Sequence, residues 1–222
     1  MTSFAITKLV AYDIGIHIGD GNMYSKNRTH RITYSGNLTT ERDFYRRVLY
    51  KIVKRIYKTN PIYLERPVDN TVLLMINSKD LVNFKQRVFN LPCGKKDTIR
   101  IPRSILRNRN LLRWCMRGIG DTDFCLSFKR NRKGLYTEPR LELYTKSEFL
   151  LKDVTRVLKR FDFKFSVEKR TKKYHGFMIR MYGRKNLNRW INNFGFSNFH
   201  ILQKIKSWQR LGYFPKVARS NG

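Results

Sequence analysis

Acidic residues are scarce in this chain: 16 Asp and Glu stand against 47 Lys and Arg among 222 residues, for a formal charge of +31. Charge of one sign repels itself in a compact fold unless a polyanion offsets it, so nucleic acid is the leading partner. Cysteine is also scarce. Cys93, Cys115 and Cys125 are odd in number and fit no metal-ligand spacing, which sets aside a disulfide scaffold and a cysteine zinc site. They read as small buried side chains in a reducing compartment. No apolar run approaches the roughly 18 residues of a membrane helix, no lipidation signal is present, and the basic residues are spread along the chain, so no membrane partner is expected. The opening MTSFAITKLVAYDIG lacks the segments of an export signal. A prokaryotic cytoplasmic or nucleoid-associated setting is expected, with an organelle as the alternative. His17, His30, His175 and His200 make no zinc set, and no nucleotide phosphate loop occurs.

What the chain does contain is a repeat. Aligning Asp20 with Asp123, an offset of 103, also pairs Gly15 with Gly118. Similar elements follow both aspartates. HRITYS (30–35) precedes an amphipathic segment from Thr40, in which Phe44, Val48, Ile52, Val53 and Ile56 recur at helical spacing. RLELY precedes a second such segment from Thr145, with Leu150, Val154, Val157, Leu158 and Phe161. Thr145 with Glu148 reads as a capping box, Thr40 with Asp43 as a weaker one, and Asn198 or Ser197 as the cap of a last helix. Each half then gives two strands and a helix: IYLE, VLLMIN and DLVNFKQRVF in the first, FKFSVEK, FMIRMYG and NLNRWINNF in the second. Alternation predicts Phe163, Phe165 and Val167 on one face against Lys164, Ser166 and Glu168, and Leu141 and Leu143 against Arg140 and Glu142.

The expected architecture is therefore α+β, two pseudo-symmetric αββαββα units, with helices on one face of each sheet and a polar face left open. Residues 1–92 form the first unit, 93–109 a basic linker, and 110–222 the second unit with a basic C-terminal helix and tail. Gly15 and Gly19 lie on one helical face, and Gly118 and Thr122 supply the comparable face of the second motif. Glycine costs about 1 kcal/mol each in a helix, and close approach of two backbones is a physical reason to accept it. The two helices are expected to pack together and to bring Asp20 and Asp123 out at the same end. A helix C-terminus is electrostatically poor ground for carboxylates, and a divalent cation reverses that balance. Hard Mg²⁺ takes carboxylate, phosphate and water oxygens, so the pair points to metal-assisted phosphodiester hydrolysis.

AYDIGIHIGDGNMY (11–24) and LLRWCMRGIGDTDFCLSF (111–128) resemble the two motifs of single-chain LAGLIDADG homing endonucleases, and the order of elements agrees over nearly the whole chain. The resemblance implies that Asp20 and Asp123 are catalytic and hold Mg²⁺, with Mn²⁺ as a substitute, and that Gly19 and Thr122 beside them share the metal site. It implies that the sheets form a saddle over a long double-stranded DNA target. Cleavage would leave short 3′ overhangs, the gene would be carried by an intron or intein, and one chain would act as a monomer. GKKDTIRIP (94–102) and GFSNFHILQK (195–204) resemble further family segments, which makes Lys96 and Lys204, with Lys95, the basic residues that organise water and phosphate. Phe124 departs from the family glycine kept at Gly21, so either a different backbone geometry is expected at the second turn or the phenylalanine starts a strand facing the core; Asp121 is given a helix-end or secondary electrostatic role. An alternative function is intron RNA binding as a maturase, or DNA binding without cleavage. DNA contacts are expected from Arg28, Arg31, Thr33, Lys129, Arg130, Arg140, Glu142, Lys164 and Arg180 on or beside the polar strand faces, through base edges or phosphates. The clusters KRNRK (129–133) and EKRTKK (168–173) read as phosphate clamps or solvated loops.

Overall fold

The chain, described by a computed structural model over residues 5–171 and 175–215, folds as two α+β units in succession. The first runs through α1 (Lys8–Gly19), β1 (Gly21–Lys26), β2 (Thr29–Asn37), α2 (Leu38–Phe44), a π-helical turn over Tyr45–Leu49, α3 (Tyr50–Tyr57), β3 (Ile62–Arg66), β4 (Thr71–Asn77) and α4 (Lys79–Phe89). A short α5 (Arg103–Arg107) leads to the second: α6 (Arg109–Thr122), β5 (Phe124–Arg130), β6 (Tyr136–Thr145), α7 (Glu148–Arg160), β7 (Ser166–Arg170), β8 (Gly176–Tyr182) and α8 (Gly183–Asn193), followed by α9 (Phe199–Leu211). Each unit holds one four-stranded antiparallel sheet, ordered β1-β2-β4-β3 and β5-β6-β8-β7. The pseudo-symmetry extends to register: Gly21 faces Tyr34 across β1 and β2, and Phe124 faces Leu143 across β5 and β6.

Alternation along the strands decides what each face does. Ile32, Tyr34, Val72, Leu74 and Ile76 are buried in the first sheet, and Leu126, Leu141, Leu143, Ile179 and Met181 in the second. Between them stand Arg31, Thr33 and Asn77 on one sheet and Ser127, Arg140, Glu142 and Arg180 on the other, so each sheet keeps one face in the core and one face open. Val167 departs from the expected pattern. β7 begins only at Ser166, so Phe163 and Phe165 precede it, and Val167 on this edge strand is exposed.

The two units are joined along α1 and α6. A Cβ on Gly15 would lie 2.1 Å from the carbonyl oxygen of Cys115, and one on Gly118 would lie 2.4 Å from that of Tyr12. The backbones touch where the expected glycines stand, and no other residue fits there without separating the helices. The segment 93–109 is more than a strap. Ile99, Ile101 and Ile105 are buried, Ser147 donates to the Ile99 carbonyl at 2.6 Å, and Arg100 pairs with Asp153.

Helix starts differ from the sequence reading. Ser147, not Thr145, caps α7 by accepting from the Leu150 amide at 3.2 Å, while Thr145 accepts from the Ser147 amide. Asn37, not Thr40, caps α2, and Glu41 returns the bond by accepting from the Asn37 amide at 2.6 Å. Both caps lie where the strand ends. Asn198 caps α9 as expected. Lys172, Lys173 and the basic tail from residue 216 lie outside the described residues.

Candidate active site and nucleic-acid face

Asp20 and Asp123 are the C-terminal caps of α1 and α6. Their amides donate to Ile16 and Ile119 carbonyls at 2.8 and 2.9 Å, and their backbones nearly coincide, φ −93°, ψ −11° against φ −97°, ψ −22°. Phe124 therefore does not alter the second turn. Neither Gly21 nor Phe124 adopts positive φ, so glycine is kept at residue 21 for space. A Cβ there would lie 2.5 Å from His17 Nδ1. The residue in the place of His17 in the second unit is Gly120, which leaves room for Phe124 to pack on Trp190 with ring centroids 4.5 Å apart.

The two caps adjoin. A Cβ on Gly19 would meet Thr122 Oγ1 at 2.1 Å and Asp123 Cγ at 3.2 Å, so α1 presses its last residue against the last residue of α6 and its carboxylate neighbour. Lys96 closes the same end, its ammonium donating to the Ile18 carbonyl at 3.0 Å and to the Gly19 carbonyl. Asp20, Asp123, Gly19, Thr122 and Lys96 are thus brought together. Lys204 is held differently, by the Leu126 carbonyl of β5 at 3.3 Å.

Desolvation dominates the electrostatics. It pushes Asp20 well above the ordinary carboxylate range, helped by the charges of Glu41 and Asp123 and opposed by the Tyr45 hydroxyl, which donates to Asp20 Oδ2 at 2.8 Å. Asp123 is pushed up to about 6 by burial, with Lys96 pulling the other way. Burial lowers Lys96 while both aspartates raise it. Two carboxylates that resist ionisation beside a desolvated lysine form a site whose charge balance improves when a cation arrives.

Glu41 and Tyr45 were not read from the sequence. Glu41 is carried into the cluster by the Asn37 cap, an Asn-x-x-x-Glu pairing hidden when the helix is started at Thr40. The π-helical turn lets two consecutive side chains, Phe44 and Tyr45, both reach the core. Asp121 is structural: it accepts from Tyr12 at 2.6 Å and from the Ser197 and Asn198 amides at 2.8 and 3.0 Å, tying α6 to the start of α9. His17 lies buried with Nδ1 unpartnered, and burial followed by the charges of Lys85 and Lys96 holds its imidazole well below the usual value.

Among the described residues no three His, Cys, Asp or Glu side chains converge as a metal cage. Mg²⁺ does not need one, because it keeps several waters and takes substrate phosphate oxygens beside one or two carboxylates. Asp20 and Asp123 fit that donor set, whereas the Gly19 carbonyl accepts from Lys96 and the Thr122 hydroxyl donates to the Gly118 carbonyl at 3.0 Å.

The expected DNA contacts fall into four groups. Arg31, Thr33, Arg140, Glu142 and Arg180 lie on open sheet faces, with Arg31 Nε donating to Asn77 Oδ1 at 2.9 Å. Lys129 and Arg130 finish β5, and Arg130 sits 5.1 Å over the Tyr136 ring. Arg28 occupies the tip of the β1–β2 hairpin, where Asn27 and Arg28 both have positive φ, as a two-residue turn requires. Lys164 precedes β7 and is not on a sheet face; its amide donates to Asn186 Oδ1 at 3.2 Å.

Two αββαββα units joined by their glycine-faced helices, with paired acidic caps between two open sheets, define the fold of the LAGLIDADG homing endonucleases. Among solved structures the chain is similar to I-DmoI in complex with DNA and Mn, at TM-score 0.63 and 15% identity over 85% of this chain and 96% of that one. It is similar also to the LAGLIDADG homing endonuclease I-LtrWI bound to target DNA (TM-score 0.59, 9% identity, 92% and 89% covered) and to I-GzeII in complex with a DNA target (0.59, 8%, 94% and 90%). No protein-family profile matches the chain, and no curated protein matches it in sequence.

Proposed function

We propose that this chain is a site-specific double-stranded DNA endonuclease that hydrolyses phosphodiesters with Mg²⁺, or Mn²⁺ in its place, and leaves short 3′ overhangs. The observation that carries the reading is the meeting of Asp20 and Asp123 at one end of two touching helices, where burial of both, with the charge of Glu41 beside them, disfavours the ionised carboxylates. Solved structures of this fold hold DNA and Mn or Ca, which supports the same use here. A bound divalent ion would supply an acidified water and neutralise charge on the phosphate. The chain's own residues do the rest. Asp20 and Asp123, contributed by the two pseudo-symmetric units, would hold such an ion, one carboxylate for each strand of an antiparallel duplex. Tyr45 fixes Asp20, and Lys96, anchored on the α1 carbonyls, brings a positive charge beside both aspartates. The open sheet faces and the +31 charge supply affinity for a long duplex, and the second unit stands where a partner subunit would, so a monomer is the active form.

The test is cleavage of a random duplex library with and without Mg²⁺, followed by sequencing of the ends. Metal-dependent breaks at one recurring sequence with short 3′ overhangs are expected. Folded protein that binds the library yet cuts nothing with any divalent ion overturns the reading.

A further inference from the structure

The two sheets turn different chemistry outward. On the second, charges interlock across strands. Arg180 Nε donates to Glu142 at 2.8 Å while its other arm pairs with Glu168, and Arg140 Nε lies 3.0 Å from Glu142 and donates to Ser127 Oγ at 3.1 Å. On the first, the outward face of β3 and β4 is apolar. Ile62 stands opposite Met75 and Leu64 opposite Leu73 in the antiparallel register, and Ile62 and Leu64 are 51% and 43% exposed. The core side of β4 is filled independently by Val72, Leu74 and Ile76, so these outward side chains are not needed for the core. β3 is moreover an edge strand, where exposed apolar residues invite unwanted strand pairing. Apolar patches kept at such cost mark contact surfaces.

The strip has a definite neighbourhood. Met75 faces Thr33 on its other side and Asn77 faces Arg31, so the apolar residues run directly into the polar ones of the same open face. A duplex laid on that face presents its major groove, in which the thymine C5-methyl is the apolar feature among donors and acceptors. We propose that Ile62, Leu64, Leu73 and Met75 form a non-polar reading strip for thymine methyl groups in the half-site under the first sheet, while Arg140 and Arg180, oriented by Glu142, read hydrogen-bonding base edges in the other half-site. This rests on duplex DNA lying on the sheets, as proposed above, but not on cleavage.

The experiment replaces thymine by deoxyuridine, which removes the methyl group and leaves base pairing unchanged, in one half-site at a time of the duplex that the chain selects from a random library. Affinity is read by fluorescence anisotropy without divalent ion. Each methyl that packs on the strip weakens binding about fourfold when removed, corresponding to ~0.8 kcal/mol. The loss is expected in the half-site under the first sheet and not in the other, and the double substitution Leu64→Ser with Met75→Ser removes it. Three results overturn the proposal: a selected half-site without thymine, equal affinity for both deoxyuridine duplexes, or a deoxyuridine effect that survives the double substitution. A concentration-dependent dimer in light scattering that Leu64→Ser dissolves also overturns it, by assigning the strip to a second copy of the chain. Duplex binding without cleavage would refute the nuclease reading alone, whereas failure to bind any duplex refutes both.

Discussion

Where Asp13 enters the core of the first unit, the second unit places Met116, and the contrast spreads outward from there. Asp13 accepts from the Tyr34 hydroxyl, from Tyr57 at 2.5 Å and from the fully buried Lys85 ammonium at 2.5 Å. The positions that correspond by register, helix end and burial spacing hold Leu143, Phe161 and Trp190. The buried residues Leu81, Val82, Lys85 and Phe89 of α4 are spaced as Asn186, Leu187, Trp190 and Phe194 are at α8. His17 with Gly21 in one unit becomes Gly120 with Phe124 in the other, a large and a small residue exchanged across one contact. The duplicated backbone thus tolerates a charged, hydrogen-bonded filling and an aromatic one, provided volume is kept and the polar groups around Asp13 find partners. What it does not exchange is the helix contact at Gly15 and Gly118 or the carboxylate at each cap.

The charged core of the first unit depends most heavily on Lys85. Removing one partner of a buried ion pair costs ~3–5 kcal/mol, so Lys85→Met is expected to lower the denaturant midpoint by that equivalent. Adding Asp13→Leu, with Tyr34→Phe and Tyr57→Phe so that no buried hydroxyl is left without the Asp13 acceptor, should recover much of the loss, because the first core then approaches the apolar chemistry of the second; a combined variant no more stable than Lys85→Met would show that the two cores are not equivalent. Gly15→Ala comes next. Intrinsic helix propensity favours alanine by about 1 kcal/mol, yet the clash with the Cys115 carbonyl should produce a net loss of ~1–3 kcal/mol in chemical denaturation, as should Gly118→Ala. An unchanged or higher stability would contradict the backbone contact.

A smaller effect comes from pH. Asp123, pushed up to about 6 from an ordinary 3.8, keeps a proton in the folded chain over a range where the unfolded chain has lost it, and Asp20, Asp121 and Glu41 shift in the same direction. Stability from these groups therefore falls as pH rises through roughly 4 to 6 and stays lower above, by up to ~3 kcal/mol for a group such as Asp123. The buried imidazole of His17 and that of His200, both held low, act in the opposite sense, so the carboxylate effect is read from the parent and the variant together: in metal-free protein, Asp123→Asn should raise the melting temperature at pH 7 relative to pH 5 by comparison with the parent chain. A change in melting temperature from pH 5 to pH 7 that is the same in both proteins would contradict the assigned burial.

Much of this was legible in the sequence because it was written twice. The offset of 103 exposed both acidic caps, the paired glycines and the order of elements, and the alternation around Leu141 and Leu143 gave the correct face. Local choices were less visible. Thr145 looked like a cap because its spacing to Glu148 fits, but the strand β6 extends through it and hands the role to Ser147. Glu41 escaped notice because its part in the site depends on where α2 begins. The burial of Lys85 was hidden as well, since a lysine on an amphipathic helix is read as solvated until its acidic partner, 72 residues away, is brought beside it.

On the proposed reading, Asp20 and Asp123 jointly serve one metal-holding end of the molecule, one carboxylate for each strand. Strand-resolved cleavage of a single end-labelled duplex by Asp20→Asn and Asp123→Asn, alongside duplex affinity, separates that role from a structural one. The prediction is a fall in double-strand cleavage of about a hundredfold or more for each variant, with duplex Kd within about threefold of the parent chain. Cleavage of both strands at the parental rate by either variant, or loss of binding and melting temperature together in both, would contradict it.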